Sequence, residues 1–97
     1  MQVKIRRAKN KSKKFEALVD GKTVAFGSAG YWDFAQNKDA ERKERYIARH
    51  RKREDWTRSG VDTAGFYAKH ILWSKPTLTE SVRDLNARFA DVQFVLA

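Results

Sequence analysis

The dipeptide Asp20-Gly21 constrains the fold more than any other feature, because it separates two short segments that each look like a strand. Residues 15–19 (FEALV) alternate apolar and polar side chains, and residues 22–26 (KTVAF) can return alongside them. Asp-Gly is typical of a two-residue hairpin turn, since glycine adopts a positive φ without steric cost. Residues 3–7 (VKIRR) show the same alternation. The sequence therefore begins with a predicted antiparallel sheet.

A basic helix is predicted over about residues 39–56. Asp39 is suited to cap it, and Glu41 and Glu44 lie where the positive end of the helix dipole favours acids. The apolar stripe of this helix is thin, because Tyr46, Ile47 and His50 are its main candidates for core contact. Most of its surface is therefore expected to face water or a partner.

Two further helices are predicted after the Ser59-Gly60 break. Asp62 or Thr63 can cap the first, whose apolar residues run from Phe66 to Trp73. Pro76 cannot lie in the interior of a helix. Thr77, with Glu80 three residues later, forms a capping box for a helix that reaches about Ala90.

Residues 91–97 (DVQFVLA) can add a strand to the N-terminal sheet. The prediction is one α+β domain over residues 1–97, with a small antiparallel sheet packed against about three helices.

Positive charge is concentrated in two segments of a chain whose formal net charge is +9. Residues 42–53 (RKERYIARHRKR) hold seven arginines and lysines against one glutamate. The first fourteen residues hold seven more and no acid, and residues 8–14 (AKNKSKK) are expected to form a mobile segment. Such clusters attract polyanions, either nucleic acid or an acidic protein surface. The predicted electrostatic contacts are Lys9, Lys11, Lys13, Lys14, Arg42, Lys43, Arg45, Arg49, Arg51, Lys52 and Arg53.

Enzymatic chemistry is not favoured by the remaining residues. The chain has no cysteine, and its two histidines, His50 and His70, are far apart and lack the ligand spacings of metal sites. Glu54 and Asp55 are better explained by i,i+4 ion pairs with Arg58 and Arg51 than as a catalytic pair. We therefore expect a non-enzymatic protein without catalytic residues, metal, cofactor or small-molecule substrate.

Three tryptophans, Trp32, Trp56 and Trp73, are predicted to anchor either the core or an interface. The chain lacks an apolar stretch long enough for a membrane span or a secretory signal. A cytosolic, nuclear or particle-borne location is expected.

Residues 26 to about 81 resemble a family of small uncharacterised proteins encoded by large double-stranded DNA viruses of eukaryotes, such as mimivirus-like and chlorella-virus-like groups, and by some phages. The similar motifs are FGxxGYxDF, KDxERKxRYIxRHxxREDW and SGxxTAGFxxxxILWxKPTLxxS. This chain departs from the pattern at Trp32 and across residues 67–70.

The resemblance implies a viral origin and a virion-associated or genome-proximal task. The expected function is that of a minor capsid or virion component that docks on acidic capsid proteins or packaged DNA. The alternative is a sequence-nonspecific nucleic-acid-binding accessory protein in viral replication or transcription. The resemblance also implies location in the virion, otherwise in the host cytoplasm or nucleus.

Overall fold

The N-terminal part of the chain folds into three antiparallel strands, as the sequence predicted. The computed structural model describes residues 1–29 and 39–97. Its first strands are β1 (Gln2–Arg7), β2 (Lys13–Val19) and β3 (Lys22–Ser28). Asp20 and Gly21 turn the chain with φ angles of 48° and 77°, which confirms the predicted hairpin. The predicted anchor Trp32 lies outside the described residues.

Three helices of the described residues begin where the capping residues predicted. Helix α1 (Ala40–His50) is capped by Asp39, whose side chain accepts hydrogen bonds from the backbone of Glu41 and Arg42. Thr63 caps α2 (Ala64–Tyr67), which continues directly into a π-helical turn (Ala68–Leu72). Thr77 caps α3 (Leu78–Arg88) by accepting from the Glu80 amide.

A fourth strand, β4 (Gln93–Leu96), completes the sheet and confirms the α+β fold class. The strand order is β3-β2-β1-β4. β4 pairs with β1 in parallel, with Val3 opposite Phe94, so the sheet is mixed rather than antiparallel throughout. The helices carry the chain back across one face of the sheet, and β4 therefore enters beside β1 in the same direction.

One face of the sheet packs against α2, the π-helical turn and α3. The buried residues on the sheet side are Val3, Ile5, Ala17, Val19, Val24, Phe26 and Phe94. On the helix side they include Phe66, Tyr67, Ile71, Leu72, Val82 and Leu85.

Gly27 shows how closely the two layers approach. The sequence predicted that the strand would end at Phe26, but β3 continues through Gly27 with a φ of 77°. A Cβ at this position would lie 2.7 Å from Leu72 Cδ1, so a side chain there would collide with the π-helical turn. The glycine interrupts the alternation without ending the strand.

The basic helix is shorter than predicted, because α1 ends at His50 and residues 51–53 form a turn. The backbone amides of Arg53 and Glu54 both donate to the His50 carbonyl in this turn. The predicted ion pairs of Glu54 with Arg58 and of Asp55 with Arg51 were wrong. Glu54 instead contacts His50, and Asp55 accepts from the backbone amide of Thr57.

The predicted mobile segment, residues 8–14, includes both a turn and the start of β2. Asn10 Oδ1 accepts from the Ser12 amide, and the Ala8 amide donates to the Lys14 carbonyl. None of the helices in the described ranges has the length and apolar character that a membrane crossing requires.

Candidate polyanion-binding cleft

A cleft of about 740 Å³ lies between the β2–β3 hairpin and helices α1 and α2. Cations from both basic segments of the sequence line it. We use the name basic cleft for the site formed by Lys13, Lys14, Arg42, Arg45 and Arg49. The first two come from β2 and the other three from α1. The fold therefore brings together charges that are about thirty residues apart in sequence.

The three arginines share one face of α1 because of their spacing. Residues three and four positions apart are neighbours on a helix surface, and Arg42, Arg45 and Arg49 are related in this way. The Asp39 cap fixes the start of the helix and thus the direction of this face. Arg45 also lies 3.8 Å from Glu41 Oε2, but both side chains are well exposed, so this ion pair is weak.

Helix α1 is held in place by a column of three rings, formed by Trp73, Tyr46 and His50. The ring centroids of Tyr46 and Trp73 are 4.5 Å apart with planes at 6°, and those of Tyr46 and His50 are 4.2 Å apart with planes at 20°. Tyr46 is buried, and this burial raises the pKa of its hydroxyl above the usual range. The thin stripe predicted for this helix is thus centred on one tyrosine.

Lys43, one of the predicted polyanion contacts, has an internal role in the structure. Its Nζ donates a 2.6 Å hydrogen bond to the carbonyl oxygen of Ser74, which ties α1 to the segment before α3. Lys43 therefore stabilises the docking of α1 rather than lining the cleft.

Glu54 supplies a carboxylate to the lining of the basic cleft. Its Oε2 accepts a 2.9 Å hydrogen bond from His50 Nδ1, and its Oε1 accepts a 3.1 Å hydrogen bond from Trp56 Nε1. A Cβ on Gly65 would lie 2.8 Å from Glu54 Cδ, so this glycine makes room for the carboxylate. Glu54 thereby fixes the orientation of the imidazole at the end of the ring column.

The remaining predicted contacts lie outside the lining of the cleft. Lys9 and Lys11 are exposed on the turn between β1 and β2. Arg51, Lys52 and Arg53 are exposed on the turn that follows α1. These five cations add to the positive field, but the geometry does not place them with the basic cleft.

The two described tryptophans are partly buried anchors. Trp73 forms one end of the ring column. Trp56 donates to Glu54, and Lys69 Nζ lies 5.5 Å from the centre of its indole ring, a cation–π contact. Both residues therefore support the elements around the cleft.

The two histidines have different environments. His50 lines the cleft, whereas His70 is 2% exposed and packs its ring against Phe66 and Phe89. His70 Nε2 donates a 3.0 Å hydrogen bond to the Trp56 carbonyl. Burial lowers the pKa of His70 to about 4, because the charged imidazolium is poorly solvated there. His70 is a neutral core residue, while His50 belongs to the site.

Two residues of the site were missed in the sequence. Glu54 was interpreted as an ion-pair partner of Arg58, and Gly65 appeared only within the TAGF motif. The signal for Glu54 is its i,i+4 spacing from His50, but this spacing indicates contact only if the turn after α1 remains compact. No such signal exists for Gly65, because its neighbour Glu54 comes from another element.

The fold and the cleft together define a small α+β domain with a cleft lined by cations. A family model described as "Family of unknown function (DUF5754)" matches residues 3–50. The match spans β1, β2, β3 and α1, and therefore every cation of the basic cleft. A comparison with curated proteins finds no match, and neither does a comparison with solved structures. The likeness to a viral family stays a prediction.

Proposed function

We propose that this chain is a non-enzymatic interaction module that binds a polyanion in the basic cleft. The observation that carries the proposal is the convergence of two basic segments, Lys13–Lys14 and Arg42–Arg49, on one cleft. Charges gathered on a concave surface reinforce one another's potential more than the same charges spread over the surface. Arginine also suits phosphate and carboxylate groups, because its guanidinium can donate two parallel hydrogen bonds.

The setting that we propose for this binding is a virus particle. The resemblance of residues 26–81 to proteins of large DNA viruses and phages supports a minor capsid or virion-associated component. In that setting the basic cleft would contact either packaged DNA or an acidic face of a capsid protein. Enrichment of the chain in purified particles, measured by mass spectrometry, tests this setting. Abundance in infected cells with absence from particles would refute it.

A second candidate is a free nucleic-acid-binding accessory protein that acts in viral replication or transcription. The row of Arg42, Arg45 and Arg49 along one helix face favours it, because regularly spaced cations suit a regularly spaced phosphate backbone. This candidate uses the same cleft but predicts binding outside the particle. Crosslinking of the chain to nucleic acid in infected cells, without incorporation into particles, would favour this candidate over the first.

Salt titrations of two matched triple variants test the cleft itself. The first variant, R42Q/R45Q/R49Q, removes the cleft arginines, and the second, R51Q/K52Q/R53Q, removes the same charge from the neighbouring turn. For binding to DNA, the slope of log affinity against log salt changes by about 0.9 for each phosphate contact in a duplex and by about 0.7 in a single strand. We expect the cleft variant to lower this slope by about two to three and the turn variant to lower it far less.

Equal losses of affinity in the two variants would refute binding in the cleft, because nonspecific electrostatic attraction to the positive surface would then explain the binding. A poly-glutamate probe in the same titration reports on an acidic protein surface. Tight, cleft-dependent binding of poly-glutamate with negligible binding of DNA would favour a capsid protein over a nucleic acid as the partner.

A further inference from the structure

We infer that the ligand of the basic cleft is a single-stranded nucleic acid, and that one of its bases stacks on the outer face of His50. This inference rests on the proposed function, because it names the class of polyanion that the cleft accepts. Besides the cations, the column of Trp73, Tyr46 and His50 then has a role in binding, because all three residues line the same cleft.

The ring column can accept another ring only at its ends. Tyr46 lies in the middle and is covered on both faces, by Trp73 and by His50. The imidazole of His50 has one face against Tyr46, and its side chain is 24% exposed at the cleft. Parallel rings already spaced by 4.2 and 4.5 Å form a stack that a planar base can extend.

The imidazole is held in orientation before any ligand arrives. Glu54 accepts a hydrogen bond from Nδ1 at the edge of the ring, so its carboxylate does not lie over either ring face. Glu54 is itself positioned by Trp56 and by the space above Gly65. An imidazole held in this way loses little conformational entropy when a base stacks on it.

Cations that can contact phosphates lie directly beside His50. Arg49 precedes His50 in α1, and the row from Arg42 to Arg49 extends about 10 Å along the helix axis. Lys13 and Lys14 face the row from β2 across the cleft. A strand with its base on His50 can therefore place neighbouring phosphates among these cations.

A single strand fits these features better than a duplex. Bases in a duplex are stacked on one another, so they offer only their edges, whereas an unpaired base offers a whole face to an aromatic ring. The cleft volume of about 740 Å³ lies in the range of small-ligand pockets, which suits a short nucleotide segment.

Four probes of equal charge test the inference: a labelled single-stranded DNA, a duplex, an abasic strand that keeps the phosphates but lacks bases, and poly-glutamate. We expect the single strand to bind about 5- to 150-fold more tightly than the abasic strand, the range measured for one stacked base. We expect weaker binding of the duplex and of poly-glutamate. Equal affinity for the single strand and the abasic strand would overturn the inference, as would stronger binding of either of the other two probes.

Substitutions at His50 locate the stacking. We expect H50A to bring the ratio of single-strand to abasic affinity close to one, and H50F, which keeps an aromatic face, to preserve most of the ratio. A ratio that persists in H50A would place stacking elsewhere and overturn the inference. Because the ratio compares two probes on one protein, a folding defect that weakens both equally does not mimic the result.

The charge variants separate this inference from the proposed function. If R42Q/R45Q/R49Q weakens no probe, the proposed function fails and the inference fails with it. If this variant weakens all probes while the abasic and single strands bind equally, the proposed function holds and only the stacking is wrong.

Discussion

Replacing Tyr46 with alanine tests whether one ring holds the basic helix to the domain. Tyr46 is 7% exposed and stacks on both Trp73 and His50. Truncating a large buried aromatic residue costs about 3–5 kcal/mol, and two stacked pairs account for about 1–3 kcal/mol of this. An isolated helix of eleven residues is marginal in water, so α1 cannot offset such a loss. We expect Y46A to undock and unfold α1 while the sheet and α3 stay folded.

Hydrogen exchange followed by mass spectrometry resolves this outcome. In Y46A the amides of residues 44–50 should exchange at nearly the rate of an unfolded chain, and those of β1 and β2 should keep their protection. Y46F keeps both stacked pairs and should retain the wild-type pattern. Unchanged protection of α1 in Y46A would show that other contacts hold the helix. Simultaneous loss of protection in the sheet would show that α1 is not a separately anchored element.

Three further predictions concern glycines, a buried histidine and the cleft carboxylate. A Cβ in G60A would lie 1.9 Å from the Asp55 carbonyl oxygen, so the backbone must shift, and we expect urea unfolding to show a loss of about 3 kcal/mol or more. G21A places its Cβ in open space at a φ of 77° and should lower the free energy of unfolding by only about 1–2 kcal/mol. Equal losses in G60A and G21A would contradict the clash inferred at Gly60. His70 has a pKa of about 4 in the folded state and about 6.5 in the unfolded state. The unfolded chain therefore binds a proton first as the pH falls. The free energy of unfolding is highest above pH 6.5 and decreases between pH 6.5 and 4, by up to about 3 kcal/mol. Urea midpoints at pH 7.5 and 4.5 measure this loss, and H70Q should reduce the difference; an unchanged difference would assign it to other groups. E54Q replaces the charged acceptor of two hydrogen bonds with a neutral amide, whose NH2 must donate to His50 Nδ1 in its other tautomer, and should lower stability by about 1–2 kcal/mol. It should also tighten binding of the abasic strand in fluorescence anisotropy titrations, because it removes a negative charge from the cleft and this probe has no base to stack, and weaker binding of this probe would contradict the assigned electrostatics.

The elements that were predictable from sequence are those with a local physical cause. Asp20-Gly21 determines its own turn, because a two-residue connection needs positive φ angles there. Asp39, Thr63 and Thr77 each satisfy backbone amides within three residues of themselves, so each helix start can be identified without knowledge of the rest of the fold.

The features that were not predictable depend on residues that are distant in sequence. The end of α1 at His50 depends on the compact turn that brings Glu54 back to the imidazole. The direction of β4 depends on the path of the preceding helices across the sheet rather than on the residues of β4 itself. The meeting of Lys13–Lys14 with the α1 arginines is of the same kind, because charge clusters in a sequence carry no information about which face they will share.

The ring column and the cleft charges have opposite effects on the docking of α1. Docking places the arginines of α1 in the same cleft as Lys13 and Lys14, and like charges repel one another. The stack on Tyr46 and the hydrogen bond from Lys43 to Ser74 must offset this repulsion. An anion in the cleft would reverse the sign of these interactions, because each cation would then face a negative charge. A ligand that binds only the docked state stabilises that state in proportion to the logarithm of its concentration over its Kd. Under the proposed function, an anion that contacts these cations would therefore couple occupancy of the cleft to the docking of α1.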